Sequence, residues 1–378
     1  MREPVTIVGA GPAGLMAAEV LAQGGARVRI IDHKASFGRK FLLAGRGGLN
    51  LTHSEPLEKL LTRYGSAGPR LDAAIRAFPP AAIIQWCAGL GVETFVGTSG
   101  RIFPKAMKAS PLLRVWLLRL RSLGVEFLPT TPWQGFEGTA TILAMGGASW
   151  PHLGSDAAWV PALRAAGIAV NDFQSSNSRI LVPWTEHFKT RHAGAPLKNL
   201  TLRYGNQTAK GEMVISAEGL EGGAIYQLSR VMREEPGKPL IIDLKPALAG
   251  DAIAQRLAQP KGSLSTSNFL RRALGLTPAA IALLHESKSK LDATGIKHVT
   301  IYPRGSADIA RAISSAGGVA LSEVDNNFQL RKIPGAYAVG EMLDWDAPTG
   351  GYLLQACFAT GAAAARDLLQ KLPHQRHI

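Results

Sequence analysis

Gly9, Gly11 and Gly14 stand in the spacing G-x-G-x-x-G, and Asp32 follows eighteen residues after the last of them. Those residue types in that order suit one task, gripping a diphosphate and the sugar beside it. Gly9 permits a tight turn, Gly11 lets the backbone approach a pyrophosphate, and Gly14 lets a helix pack on the preceding strand. Pro12 and Ala13 fill the turn at the start of that helix, whose free N–H groups and positive dipole end favour phosphate. Asp32, with His33 beside it, ends the second strand, where a carboxylate accepts hydrogen bonds from the two ribose hydroxyls of an adenosine and disfavours a 2′-phosphate.

Glycine strings are common in turns, so the context carries the reading. This string follows the β-branched run Val5-Thr-Ile-Val, opens the alanine-rich run from Leu15 to Leu21 and closes on Val28-Arg-Ile-Ile. A glycine turn with no ligand would have to produce strand, spaced glycines, helix, strand and acid by coincidence.

The elements that position these residues are spread over a chain of 378 residues, 46% apolar and 19% charged, enough for a large core and two or three domains and too apolar for disorder. The 42 basic residues against 28 acidic give a net charge of +14, which attracts anionic cofactors, nucleic acid or lipid surfaces without choosing among them. The basic residues are scattered. Their densest stretch, from Arg101 through Lys105, Lys108, Arg114 and Arg119 to Arg121, runs into a leucine-rich helix without an aromatic stacking platform, so a solvated helix face is expected there and a nucleic-acid partner is not.

Cys87 and Cys357 form no C-x-x-C pair, which argues against a disulfide framework or dithiol centre and fits a reducing compartment. The chain enters a strand at once, with no basic leader and no apolar run of eighteen residues, so a cytoplasmic protein with no membrane span is expected. The N-x-T strings at Asn50, Asn199 and Asn206 then read as chance matches, and the nine histidines show no metal-ligand spacing, so no metal is expected.

Helical patterns run from Ala81 to Gly89 and from Leu112 to Leu123, the second with Ser110 as expected N-cap and Pro111 at its first position. Strand patterns follow at Val125–Leu128 and Thr139–Ala144, the latter running into Met145-Gly146-Gly147. Period-two runs between about Ser178 and Pro246 suggest an antiparallel sheet or small barrel, and helical spacing returns from Ala247 to Asp292 with a polar interruption at Ser263–Ser267. Gly335-Ala-Tyr-Ala-Val-Gly340-Glu341 reads as a strand ending in a glycine and a carboxylate, followed by Thr349-Gly350-Gly351-Tyr352 and an alanine-rich helix from Leu353. We expect one dinucleotide domain from residues 1–177 and 301–378, split by a barrel-like segment, 178–246, and a helical segment, 247–300, with no internal repeat.

At these residues the chain resembles the flavoprotein family that includes the YhiN and BaiN proteins, a branch of the glutathione-reductase-like FAD enzymes. The match is carried by Gly9–Gly14, by Phe37–Thr52, by Gly211–Ser216 with Gly219-Leu, and by Gly340–Asp344 through Thr349–Tyr352. Ala144-Met-Gly146-Gly147 through Pro151, with Gly154-Ser155, resembles the family's second glycine turn, and Arg101-Ile-Phe-Pro104 also fits. The resemblance implies non-covalent FAD on an α/β, Rossmann-like domain, split by an inserted β-barrel and helices that cover the flavin. The family's G-G-G-R-C-N reads here as Gly45-Arg46-Gly47-Gly48-Leu49-Asn50, so the arginine has shifted and no role of that cysteine carries over.

On this layout FAD spans from Asp32, across Gly11–Gly14, to a flavin ring near the last helix start, where N–H groups around Gly351–Leu353 could stabilise negative charge on the reduced ring. Ala144, Gly146, Gly340 and Gly350 belong to the turns around it, and Glu341 is expected on the ribityl chain. Arg39 and Lys40 lie near the cofactor by resemblance, where cations would favour reduced flavin, or form an exposed basic turn. Asn50 and Thr52 line the cavity or cap a loop. Tyr352 could donate a proton or stack, but packing is the commoner role at a helix start. No residue is singled out as the catalytic acid.

With a single dinucleotide fingerprint and no separate NAD(P)H domain, three functions follow. The first, which the BaiN-type members of the resembled family suggest, is an NAD(P)H-driven reductase passing hydride from flavin N5 to a conjugated C=C of a small organic substrate. The second is a flavin hydroxylase or oxidase activating oxygen. The third is an FAD-containing nucleic-acid-binding protein.

Overall fold

The computed structural model describes residues 3–45, 47–136 and 140–372. Arg46, in the shifted glycine segment, and Thr139, the expected start of a strand, lie outside the described residues. The chain divides into two compact units, residues Met1–Gln174 with Ile313–Ile378, and residues Ser175–Ala312.

The first unit is built on a parallel five-stranded sheet in the spatial order Ala336–Ala338, Thr141–Leu143, Val5–Val8, Val28–Ile31, Glu126–Leu128. The strands from the two ends of the chain are neighbours: Ala336, Tyr337 and Ala338 pair with Thr141, Ile142 and Leu143. Val5, Thr6, Ile7 and Val8 are all buried, as a parallel sheet covered on both faces demands.

Helix Pro12–Gln23 crosses between the first two strands, and the C-terminal helix Tyr352–Lys371 packs on it. Their approach explains the alanine-rich sequences. A Cβ on Gly361 would stand 2.3 Å from the Ala13 carbonyl oxygen, and Ala17, Ala18, Ala362, Ala364 and Ala365 are fully buried. Larger side chains on either face would hold the helices apart.

A small antiparallel sheet, Thr52–His53, Arg101–Pro104 and Thr94–Val96, stands apart from the main one. The arginine-rich helix spans Ala109–Ser122 with Lys108 as N-cap, so it begins before Ser110, which caps nothing. Pro111 fits because no residue in a first turn needs its N–H for the helix ladder. Arg114 and Arg121 are exposed as expected, whereas Arg119 turns inward and forms an ion pair with Glu19 at 2.9 Å.

The second unit holds a six-stranded sheet in the order Val299–Ile301, Leu240–Asp243, Pro196–Tyr204, Gln207–Ser216, Gly219–Glu221, Ile180–Leu181, every pair antiparallel. A bulge between Leu197 and Leu200 strengthens its twist. The sheet curls until its edges meet: Leu181 N–H donates to Gly305 O and Arg304 N–H to Leu181 O, each at 2.8 Å. Helix Gly223–Glu234 packs Ile225 and Leu228 on its apolar face. The four helices Gly250–Leu257, Thr266–Leu274, Pro278–Glu286 and Ala293–Lys297 follow, the last three capped by Ser265, Thr277 and Asp292.

Among the described residues no helix is long and apolar enough to cross a membrane, and no cluster of His, Cys, Asp or Glu could hold a metal ion.

Candidate cofactor site

The first unit carries a groove of about 470 Å³ at the carboxyl ends of its parallel strands, lined among others by Gly9–Ala13, Asp32, Lys40, Ser155 and Glu341. Open α/β sheets bind ligands at this edge, where helix N-termini and loops converge.

The glycines do separate jobs. Gly9 has φ +102°, and a Cβ there would lie 2.4 Å from Ala144 O, so the turn is pressed against the neighbouring strand's exit. A Cβ on Gly14 would lie 2.1 Å from Gly9 O, closing the helix on its own turn. At Gly11 a Cβ would meet nothing within 4 Å, because it would project into the open groove where a diphosphate needs to come close. Gly340, φ +79°, lets the C-terminal segment turn onto Ala13, 2.9 Å from its would-be Cβ.

Asp32 is buried, and its carboxylate accepts from Ala10 N–H at 3.1 Å, Lys34 N–H at 2.9 Å and Arg39 Nη2 at 2.8 Å. Arg39 Nε also donates to Leu153 O at 2.6 Å, while His33 Nε2 stands 3.6 Å from Asp156 Oδ2. Arg39 thus belongs to the Asp32 end of the groove and is no exposed turn. Lys40, the next residue on the short helix Arg39–Ala44, points in another direction: its Nζ meets Glu341 Oε1 at 2.8 Å, Oε2 at 2.9 Å and Ser149 Oγ at 2.5 Å. Ser315 supports that corner, its N–H reaching Glu341 Oε1 at 3.4 Å and its Oγ accepting from Ala148 N–H at 3.1 Å.

Whether these residues fit FAD is tested by what they leave unsatisfied. Arg39 Nη1 and Ser155 Oγ are buried without a hydrogen-bond partner, and both residues line the groove. Orphaned donors in a native site call for an acceptor supplied from outside the chain, and a dinucleotide supplies phosphate and hydroxyl oxygens. The glycine cradle, the buried Asp32 carboxylate and these donors fit the cofactor. Trp133 and Trp159 line the groove as apolar surface. Cys357 also borders it, with burial pushing its thiol well above the usual range.

The remaining expected residues gather at the start of helix Tyr352–Lys371, outside the set that lines the groove. Gly350 and Gly351 have φ of +144° and +91°, and a Cβ on Gly351 would meet the Thr52 backbone at 2.5 Å. Thr52 Oγ1 donates to Gln355 Oε1 at 2.6 Å, so that hydroxyl is engaged within the protein, whereas Asn50 keeps a buried Oδ1 without a partner. Tyr352 O–H donates to Glu55 Oε1 at 2.6 Å, and Arg63 grips the same carboxylate at 2.9 and 2.6 Å. Burial and the bond to Glu55 push the Tyr352 phenol far up, which suits it to packing and not to proton donation. Burial alone would raise Glu55, but the bonds from Arg63 and Tyr352 outweigh it and hold its carboxyl below the ordinary value.

Sequence reasoning missed Trp133, Trp159, Asp156, Ser149, Ser315, Glu55 and Arg63. Of these Ser149 carried a signal, as did Ser155, since both stand in the segments read as the second glycine turn. The others reach their places through contacts between segments far apart in the chain.

The sequence matches the family model described as HI0933-like protein Rossmann domain over residues 3–141 and 134–367. It is 25% identical over 404 residues to the ribosomal RNA dihydrouridine synthase of Escherichia coli, covering 97% of this chain and 98% of that protein. It is 26% identical over 413 residues to the 3-dehydro-bile acid delta(4,6)-reductase of Clostridium scindens, covering 97% and 99%. Among solved structures, the open conformation of a flavocytochrome c3 fumarate reductase aligns with TM-score 0.51 at 14% identity over 97% of this chain and 78% of its own. The 3-ketosteroid delta1-dehydrogenase of Sterolibacterium denitrificans aligns with TM-score 0.51 at 14% identity over 97% and 99%. At such identities the solved structures speak for the fold alone. With the parallel sheet, glycine turn and groove already described, the family match makes the chain a member of the HI0933-like family, that of the YhiN and BaiN proteins, and an FAD-dependent oxidoreductase.

Proposed function

We propose that the protein is a reductase that saturates a C=C bond conjugated to a carbonyl, drawing electrons from NADH or NADPH. The observation that carries this is the pair of full-length relatives. One is named for making dihydrouridine and the other for reducing delta(4,6) bonds of a 3-dehydro bile acid. The two molecules share little except a C=C in conjugation with a carbonyl, so the bond is the common element and the substrate is what varies.

When bound, FAD would supply the two-electron hydride chemistry between donor and substrate. The chain's own residues hold it. Asp32 binds the adenosine ribose, Arg39 and Ser155 donate to the oxygens near it, Gly11 and the first turn of helix Pro12–Gln23 receive the diphosphate, and Glu341, braced by Lys40, takes the ribityl hydroxyls. The N–H groups at the start of helix Tyr352–Lys371 would face the flavin ring, near the segment that carries Asn50 and Thr52.

A small organic enone is the first substrate to test. A uridine within RNA is the second, favoured by the relative's name and by the net charge of +14. Anaerobic mixing of the FAD-loaded protein with NADPH and, separately, NADH, followed by the flavin absorbance, tests the donor. Bleaching by either, then reoxidation by an enone or by RNA with loss of the C=C, is the expected result. A flavin that neither nucleotide reduces removes the NAD(P)H-driven reading. RNA binding with a steep salt slope would move the substrate toward uridine.

A further inference from the structure

The first turn of helix Tyr352–Lys371 is held from outside by residues 52–64, none of which lines the groove. Tyr352 is gripped at both ends. Its phenol O–H donates to Glu55 Oε1 at 2.6 Å, and its backbone carbonyl accepts from the Tyr64 hydroxyl at 2.8 Å. Its ring stacks on His53 at 5.5 Å with an interplanar angle of 19°, and the Arg63 guanidinium lies 5.6 Å from the ring centroid. One turn on, Gln355 accepts from Thr52 Oγ1 and donates to Phe78 O, both at 2.6 Å.

This is more than a helix start needs. Glu55 is 6% exposed in its side chain and carries Arg63 as a bidentate partner, so the acceptor that holds Tyr352 is itself fixed. Tyr64 is fully buried. Asn50, two residues before Thr52, has a buried oxygen with no partner in the chain, as in a wall that a ligand completes. Donors fixed before charge develops on a ligand stabilise that charge without a cost of reorganisation, whereas donors on a loose turn lose most of the advantage.

We infer that Glu55 and Tyr64 are positioning residues: by holding Tyr352 they fix the N–H groups of the last helix's first turn, and thereby set how much more tightly the site binds reduced than oxidised FAD. The inference rests on the proposed placement of the flavin ring at this helix start. It does not depend on the electron donor or the substrate.

The test uses two variants, each of which removes one hydroxyl and no charge. Tyr352→Phe breaks the bond to Glu55, and Tyr64→Phe breaks the bond to the Tyr352 carbonyl. The midpoint potential of bound FAD is measured by chemical reduction with dithionite, with Arg76→Gln, at the exposed Arg76–Glu58 pair, as control. Both variants are expected to retain FAD and to show a lower potential, equivalent to a loss of about threefold to tenfold in the preference for reduced FAD, the worth of one net hydrogen bond. The control is expected to match the wild type. Potentials unchanged in both variants would overturn the inference, and so would equal weakening of both redox states, which would make the clamp a matter of stability alone. A wild type that holds FAD but is not reduced by NAD(P)H would fail the proposed reductase while leaving this measurement intact.

Discussion

Lys40 and Glu341 lie 301 residues apart in the chain, and their side chains meet at 2.8 and 2.9 Å inside the groove. The pair ties the short helix after the second strand to the turn after the last strand, the two segments between which the ribityl part of FAD is proposed to lie. Lys40 is 24% exposed and Glu341 16%, so the attraction is only partly screened. Lys40→Met should therefore weaken FAD binding by about tenfold, roughly 1.4 kcal/mol. A fluorescence titration of FAD into the stripped protein reads this directly, and an unchanged dissociation constant would remove Lys40 from the cofactor's support.

Gly11 and Gly14 should fail in different ways. Gly11→Val projects into open groove, so the protein should keep its melting temperature while losing FAD. Gly14→Val drives a side chain into Gly9 O, 2.1 Å from the Cβ position, and should lower stability by about 1–3 kcal/mol or more along with cofactor loss. Thermal scans of both variants stripped of FAD separate the two effects.

Glu19 sits buried on the first helix, accepts from Trp86 Nε1 at 2.9 Å and Trp116 Nε1 at 2.7 Å, and pairs with Arg119, whose Nε lies 2.9 Å from its carboxylate. Removing it leaves two indole donors and a guanidinium with no acceptor. Glu19→Ala should cost about 3–5 kcal/mol, as expected when one partner of a buried pair is lost. Urea unfolding followed by tryptophan fluorescence measures it, and a loss under 1 kcal/mol would show that water reaches the cluster.

The Glu55 carboxyl titrates below its ordinary value of 4.5 in the folded protein. A depressed folded value means a stabilising contribution that is fully present above the unfolded value and lost as pH falls through the folded one. The melting temperature should therefore drop on acidification below about pH 4.5, and Glu55→Gln should drop less steeply over that window. Parallel slopes in the two proteins would show that Glu55 carries no linkage.

Both thiols should be slow to alkylate in the native state, since burial pushes Cys87 up to about 12 and Cys357 higher still. Iodoacetamide labelling read by mass spectrometry should modify neither until the protein unfolds. Rapid labelling of Cys357 would show that the groove opens to reagents.

The βαβ start of the chain was legible residue by residue because its determinants are local. β-branched runs, three glycines and an acid at fixed spacing specify a turn that can form only one way, and the alanines of helices Pro12–Gln23 and Tyr352–Lys371 announce close packing whatever the partner. The antiparallel character of the second unit was legible for the same reason, since alternation is a property of consecutive residues. The start of helix Ala109–Ser122 was misplaced because Ser110 is a good cap only when the backbone before it is free to extend, and here the helix begins earlier, where Ala109 packs on Gly45.

Which side chain answers which was decided only by tertiary structure. Arg39 and Lys40 are adjacent and alike in charge, yet one goes to Asp32 and the other to Glu341, because successive helical residues point in different directions. Tyr352 finds Glu55 across 297 positions, and no spacing rule relates them. The sequence by itself determined the glycine turn, the acid that ends the second strand, the parallel sheet and, through its family's motifs, the cofactor. The side chains that hold the start of helix Tyr352–Lys371 came only with the folded chain, because hydrogen-bond partners are chosen by proximity in space and segments far apart in sequence carry no periodicity that records their meeting.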